Sequence, residues 1–308
     1  MGQLLAELDA FTLSQYTPLK ASLDTFLLSR QAKRCTPATL HFYRHTLGPF
    51  IDWLRQFDLS EPGQITAHHI RAYLLHLQER GLKDTTQHAC ARSIKAWLNW
   101  LLREEEIDKS PMLKVDMPKV DRKLPDVYTV EEVNTLLAAC DRKTLLGLRN
   151  YAVILCLLDS GLRRAELADL RLPDVNLQTG LVIVRSGKGG KQRQSRFGAR
   201  ARAALLRYLA RVPELTETDP IFGLQSRGLQ ITLYRLGKRA GVEPCNAHRF
   251  RRTFATFCLK DNMDLERLRM LMGHSSLAVL QRYLALTGRD LEQAHAAHSP
   301  VDRWLERG

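Results

Sequence analysis

The chain has 308 residues, 46 Lys plus Arg against 33 Asp plus Glu, a formal charge of +13 at pH 7 and 44% hydrophobic residues. That length suits about two domains of the usual ~100–200 residues and the apolar content supplies a core for each, which excludes disorder; the positive balance points to a polyanionic partner, nucleic acid being the commonest, although it also fits a ribosomal or membrane-surface protein. Apolar stretches such as 151–158 fall far short of the ~18 residues of a membrane helix, the N-terminus lacks a basic-then-apolar leader, and the six scattered cysteines form no zinc-binding spacing, so a soluble, cytoplasmic chain in a reducing compartment, without membrane or metal, is expected.

Residues 17–106 carry a helical pattern. Thr36 followed by Pro37 makes an N-cap with proline in the first turn, and His41, Tyr43, Leu47, Phe50, Ile51, Trp53 and Leu54 continue as an apolar stripe of near-3.6 spacing. Stretches 65–79 and 85–103 read the same way, the second with Ile94, Trp97, Leu98, Leu101 and Leu102 on one face, and Gly81 between them ends one helix. A four-helix bundle over 1–107 is expected. Between 108 and 128 the periodicity fails while Pro111, Pro118 and Pro125 recur among alternating charges, which reads as a linker.

A second domain, 129–308, opens at Thr129-Val130-Glu131-Glu132, where threonine and Glu132 can cap each other's backbone amides. Helices run to about Leu158. Leu181-Val182-Ile183-Val184 is then a β-rich run, Gly187-Lys188-Gly189-Gly190 a turn and 192–197 a return strand. Beyond Ala199 the pattern is helical again apart from Pro220-Ile221-Phe222, and 290–297 reads as a short amphipathic helix. The expected fold class is mainly α with a small β-hairpin in the second domain (α+β).

The charge is concentrated as well as large. Residues 175–213 hold no acid, and a hairpin and helix so composed suit a phosphate backbone better than a merely solvated face; Arg185, Lys191, Arg193, Arg196, Arg200 and Arg202 are the expected nucleic-acid contacts. The segment 187–191 is no nucleotide-binding loop, because Gln192 stands where Ser or Thr is needed and Arg185 where the first glycine belongs. Singly, the remaining polar residues are weak signals. Arg163 could merely pair with Glu166 three residues on; His248 and Arg251 share a helix face that could be solvated; His274 after Gly273 could cap a helix; and a tyrosine such as Tyr283, after an amphipathic turn, is more often core.

Taken in order, Arg163, Lys188, His248, Arg251, His274 and Tyr283 lie in Gly-Leu-Arg-x-x-Glu-Leu, Gly-Lys-Gly-x-Lys, His-x-x-Arg-x-Thr-Phe-Ala-Thr and Leu-Met-Gly-His-Ser-Ser, with Tyr283 nine residues beyond His274. This set resembles the tyrosine recombinase (phage integrase) family, closely in spacing and domain order to its Xer-type and transposon-type members. The resemblance covers about 129–286; the N-terminal helices are similar only in general style to the family's core-binding domain.

The resemblance implies a site for phosphoryl transfer. Charge gained on the nonbridging oxygens of a phosphodiester needs fixed cations, and guanidinium is always charged and forks onto phosphate, which suits Arg163 and Arg251. By the same resemblance Lys188, at the hairpin tip, protonates the departing 5′ oxygen, His248 and His274 hold the phosphate or handle the tyrosine proton, and Glu166 orients the arginine or histidine side chains. Tyr283 is then the nucleophile, leaving a 3′-phosphotyrosyl link and a free 5′ hydroxyl without cofactor, ATP or metal. A C-shaped, two-domain clamp on double-stranded DNA is implied, with four protomers holding two sites through a Holliday junction, the C-terminal helix packed on a neighbouring protomer, and a cytoplasmic protein at the nucleoid. Arg164 and Arg252 depart from the family pattern, as does Ser195-Arg196 where apolar residues are usual; the motif frames select Arg163 and Arg251 from the adjacent pairs. A type IB topoisomerase and a non-catalytic architectural DNA-binding protein are the rivals. The resemblance also allows an accessory protein as a further partner.

Overall fold

The computed structural model describes residues 17–120, 126–185, 192–274 and, singly, 276, 277, 280, 295, 299 and 301. The chain divides into two compact units, 1–122 and 123–308, each with its own apolar core. Among the described residues the fold is helical with one two-stranded antiparallel sheet, the class expected from the sequence, and no helix is long and apolar enough to cross a membrane.

Among the described residues of the first unit there are four α-helices: α1 (Pro18–Ala32), α2 (Pro37–Leu54), α3 (Ala67–Glu79) and α4 (Asp84–Arg103). Thr17 and Thr36 cap α1 and α2 by accepting from the backbone amides of Lys20 and Thr39, each just ahead of a proline whose missing N–H would be unpaired there anyway. Phe26, Leu47, Phe50, Ile94, Trp97, Leu98 and Leu101 close the core, with Phe26 edge-on to Trp100 at 5.6 Å between ring centres. Two expected stripe residues turn outward: His41 is exposed and stacks on His45, one turn along the outer side of α2, and Leu102, one residue past the α4 stripe, is exposed too. The proline-bearing stretch is partly docked rather than free. A 3₁₀ turn at Pro111–Lys114 buries Met112, and Val115 follows it into the helical core, while the Arg71 guanidinium donates to the Lys114 carbonyl and the His88 ring bonds the Pro118 carbonyl at 2.9 Å.

The second unit holds α5 (Val130–Ala138), α6 (Leu145–Ser160), α7 (Arg164–Ala168), the strands β1 (Leu181–Val184) and β2 (Arg193–Arg196), α8 (Ala199–Leu209), α9 (Ser226–Ala240), α10 (Ala247–Lys260) and α11 (Leu265–Met272). The Thr129 and Glu132 side chains cap each other's amides at 3.2 and 2.9 Å, as expected. Helix α6 is the spine: Ala152, Val153, Ile154, Cys156 and Leu157 are fully buried, which is why its sequence is apolar on nearly every face. It packs against α8 and α10. The strands pair with Leu181 opposite Arg196 and Val184 opposite Arg193, so Val182, Val184 and Ser195 face the core. Ser195 tolerates its apolar surroundings because its hydroxyl donates to the Ser160 carbonyl at 3.1 Å.

Helix α9 meets the segment leading into α10 at Gly237, where a Cβ would sit 2.2 Å from the Cys245 Cβ and 2.6 Å from the Val242 carbonyl oxygen. Alanine is ordinarily ~1 kcal/mol better than glycine inside a helix. Overpacking of this kind costs ~1–3 kcal/mol, so the clash outweighs the propensity. Gly237→Ala is therefore expected to lower the urea midpoint, and an unchanged or raised midpoint would show that this contact yields freely.

Candidate active site

Gly161 ends α6 and the chain then runs extended through Arg163, the N-cap of α7, before Glu166 at the third position of that helix. The Glu166 carboxylate turns back to accept the Arg163 amide at 2.7 Å and the Arg163 Nη1 at 2.7 Å. Its Oε2 also accepts Arg193 Nη2, at 2.5 Å, from strand β2. Glu166 is 8% exposed, and such a carboxylate is tolerable only because two guanidiniums and a backbone amide surround it. Arg251, on α10 and 4% exposed, donates to the Gly161 carbonyl at 2.5 Å and the Met272 carbonyl at 2.6 Å. Arg163 reaches the next carbonyl, that of Gly273, at 2.8 Å.

Helix α11 ends at Gly273 in the left-handed region and delivers His274 to this cluster. The His274 backbone is held at both polar groups: its N–H donates to the Arg269 carbonyl and its carbonyl accepts from the Arg269 guanidinium. Its Nδ1, by contrast, is buried with no partner among the described residues. Burial first, then the positive charges of Arg251, Arg163 and Arg193 and finally His248, push the His274 imidazole down to about 4. His248, in the first turn of α10, is lowered by its surroundings and by Arg252 and Arg251. Both rings are therefore neutral at pH 7, and each keeps one acceptor nitrogen.

The His274 shift has a consequence for stability. Its folded value lies below the ordinary 6.5, so the unfolded chain takes up a proton that the native site refuses. Stability from this ring is complete above about pH 6.5 and is lost as the pH falls from there towards 4, by on the order of 1–3 kcal/mol after solvent screening. Urea unfolding of wild type and His274→Gln at pH 7.5 and 5 checks this: the difference between the two proteins should shrink or invert at the lower pH.

Arg163, Glu166, Arg251 and His274 are thus brought together in one place, with His248 close enough to act on His274 and Arg251. Lys188, Lys191 and Tyr283 lie outside the described residues. The adjacent arginines separate cleanly. Arg164 turns away to α9, where it donates to Ser226 Oγ at 2.9 Å and to Gln230 Oε1, while Arg251 rather than its half-buried neighbour Arg252 holds Gly161 and Met272. Among the described residues no group of His, Cys, Asp and Glu could hold a metal ion.

The basic run needs correction at Arg193. Its side chain is 10% exposed and both Nη atoms are bound internally, to Glu166 and to the Leu271 carbonyl, so it is built into the arginine cluster rather than standing on a solvated basic face. The inward direction was readable: Arg193 is two residues from the buried Ser195 on the same strand, and alternate residues share a face. Arg202 is half-buried and tied to the Leu177 and Gln178 carbonyls, and Arg185 pairs with the buried Asp174 just before the acid-free run. Arg196 and Arg200 are exposed.

Comparison with known proteins follows the same division of the chain. The phage integrase family pattern matches residues 126–289, and the pattern of the phage integrase N-terminal SAM-like domain matches 23–108. The chain is 31% identical over 296 residues to the tyrosine recombinase XerC of Oceanobacillus iheyensis, covering 92% of this chain and 97% of that protein. It is 29% identical over 292 residues to the tyrosine recombinase XerD of Halalkalibacterium halodurans, covering 91% and 97%. Among solved structures, the Tn1549 transposon integrase in complex with transposon right end DNA superposes with a TM-score of 0.72 at 18% identity over 94% of this chain and 100% of that one. A lambda integrase dimer bound to a COC′ core site gives 0.69 at 18% identity over 88% and 96%. At such identities the two structures speak for a shared fold.

Proposed function

The chain belongs to the phage integrase family of tyrosine recombinases, and from that membership we propose that it cleaves and rejoins double-stranded DNA site-specifically through a 3′-phosphotyrosyl intermediate. The observation that carries this reading is the cluster at His274: the guanidiniums of Arg163, Arg193 and Arg251 all act on its neutral ring while Glu166 pairs with Arg163 and Arg193, an excess of positive charge that suits an added phosphate.

In the reaction the Tyr283 hydroxyl oxygen attacks phosphorus, the P–O bond to the 5′ oxygen breaks, and the leaving oxygen takes a proton from Lys188. Arg163 and Arg251 stabilise charge on the nonbridging oxygens. His274, neutral at working pH, accepts the phenolic proton or a hydrogen bond across the phosphate, with His248 beside it. One phosphodiester replaces another, so rejoining to a second 5′ hydroxyl needs no further energy source. Residues 1–107 serve as a helical core-binding domain and 129–308 as the catalytic domain, joined by 108–128, and both act on the duplex. Arg185, Arg196, Arg200 and Lys191 meet the DNA backbone. Four protomers hold two sites, exchange strands through a Holliday junction and engage one another by the C-terminal segment, in the cytoplasm at the nucleoid. The related lambda integrase crystallised as a dimer on its core site, which accords with half of such an assembly.

The test compares two supercoiled plasmids, one with paired copies of the DNA flanking the encoding gene and one without them. Recombinant circles from the first and no relaxation of the second are expected. Relaxation of the site-free plasmid would favour a type IB topoisomerase, and tight binding with neither product an architectural protein.

A further inference from the structure

The carbonyls of Leu271, Met272 and Gly273, at the end of α11, each accept from a different arginine: Arg193 Nη1 at 2.8 Å, Arg251 Nη2 at 2.6 Å and Arg163 Nη2 at 2.8 Å. A helix C-terminus leaves such carbonyls unpaired and carries partial negative charge, so cations are the natural partners. The three come from β2, from α10 and from the start of α7, and the turn they hold leads directly into His274. Arg163 and Arg251 have a second duty at the phosphate. The recombinase reading gives Arg193 no such duty; its other Nη is on Glu166, and its stem passes so close under Gly273 that a Cβ there would lie 2.4 Å from Cδ and Nε. Gly273 meets this contact with φ +64°, where a side chain would be strained in any case.

We propose that Arg193 is a positioning residue that ties strand β2 to the Glu166 carboxylate and to the last turn of α11, thereby setting Arg163 and His274 relative to the reacting phosphate. The proposal rests on the recombinase reading of this site for its effect on rate, while the tie itself is a property of the folded chain. Arg193 contributes no direct DNA contact. Its loss therefore acts on turnover at saturating DNA and leaves affinity alone, because misplacing reacting groups by about an ångström costs up to ~100-fold in rate.

The test uses full-length Arg193→Met and Arg193→Lys. On a duplex that wild type cleaves, adduct formation at saturating DNA should fall about 10- to 100-fold in Arg193→Met with half-saturation unchanged. Arg193→Lys should recover only part, because one ammonium lacks the planar fork that reaches both Glu166 and Leu271. Equal rates, or affinity falling in step with rate, would overturn the proposal. An NMR titration of the His274 ring, without DNA, is independent of the functional reading. A midpoint that rises from about 4 in both variants supports the tie. A rise in Arg193→Met that Arg193→Lys fully reverses would reduce Arg193 to a charge, and no rise in either would remove it from the turn. Absence of adduct with wild type on every duplex would count against the recombinase reading alone, leaving the titration to decide. If Arg193→Met does not fold, Arg193→Lys supplies the same contrasts.

Discussion

Tyr283→Phe is expected to bind duplex DNA as wild type does and to form no SDS-resistant adduct with it. The substitution deletes one oxygen, and that oxygen is the atom assigned to attack phosphorus. Affinity for DNA is distributed over many cation–phosphate contacts, so removing a neutral hydroxyl leaves it nearly unchanged. Mobility shifts and denaturing gels of the same reaction mixtures separate the two effects. An adduct in the variant would take Tyr283 out of the mechanism.

Arg163→Ala and Arg251→Ala should each lower cleavage at saturating DNA by on the order of 10²–10³, the usual cost of removing one donor to developing oxyanion charge. They should differ in stability. Arg251 is 4% exposed and its bonds to Gly161 and Met272 are internal, so its loss strands two buried carbonyls and costs ~2–4 kcal/mol. The Arg163 side chain is 30% exposed, and Glu166 keeps Arg193 when Arg163 is gone, which limits the penalty to about 1–2 kcal/mol. Urea midpoints read beside adduct rates distinguish the two arginines. Affinity losses as large as the rate losses would show both to be ordinary backbone contacts.

The difference between these arginines marks the boundary of what one sequence discloses. Capping pairs such as Thr129 with Glu132 are separated by three residues, so the pattern that makes them is local and readable. The strand pair was readable too, although the paired strands prove shorter than the return segment 192–197; the expected glycine turn at 187–190 lies outside the described residues. Motif frames located Arg163, Glu166, His248, Arg251 and His274, and folding brings them together. The carbonyls these arginines hold were not readable. Arg163 and Gly273 are 110 residues apart, Arg193 and Leu271 are 78, and a backbone acceptor leaves no signature in side-chain identity. Compositional reasoning also missed Arg193, because a run of arginines reads as one surface until strand alternation sends a member inward. The docking of Met112 and Val115 was hidden for a related reason: proline-broken periodicity announces the end of a helix, not whether the chain beyond it still packs.

The most direct measurement is to trap the covalent complex with a cleaved duplex, digest the protein and map the modified peptide by mass spectrometry. A nucleotide joined through its 3′ phosphate to Tyr283, with a free 5′ hydroxyl on the released strand, is the result expected of a tyrosine recombinase built as described. Attachment at another residue, or through a 5′ phosphate, would contradict it.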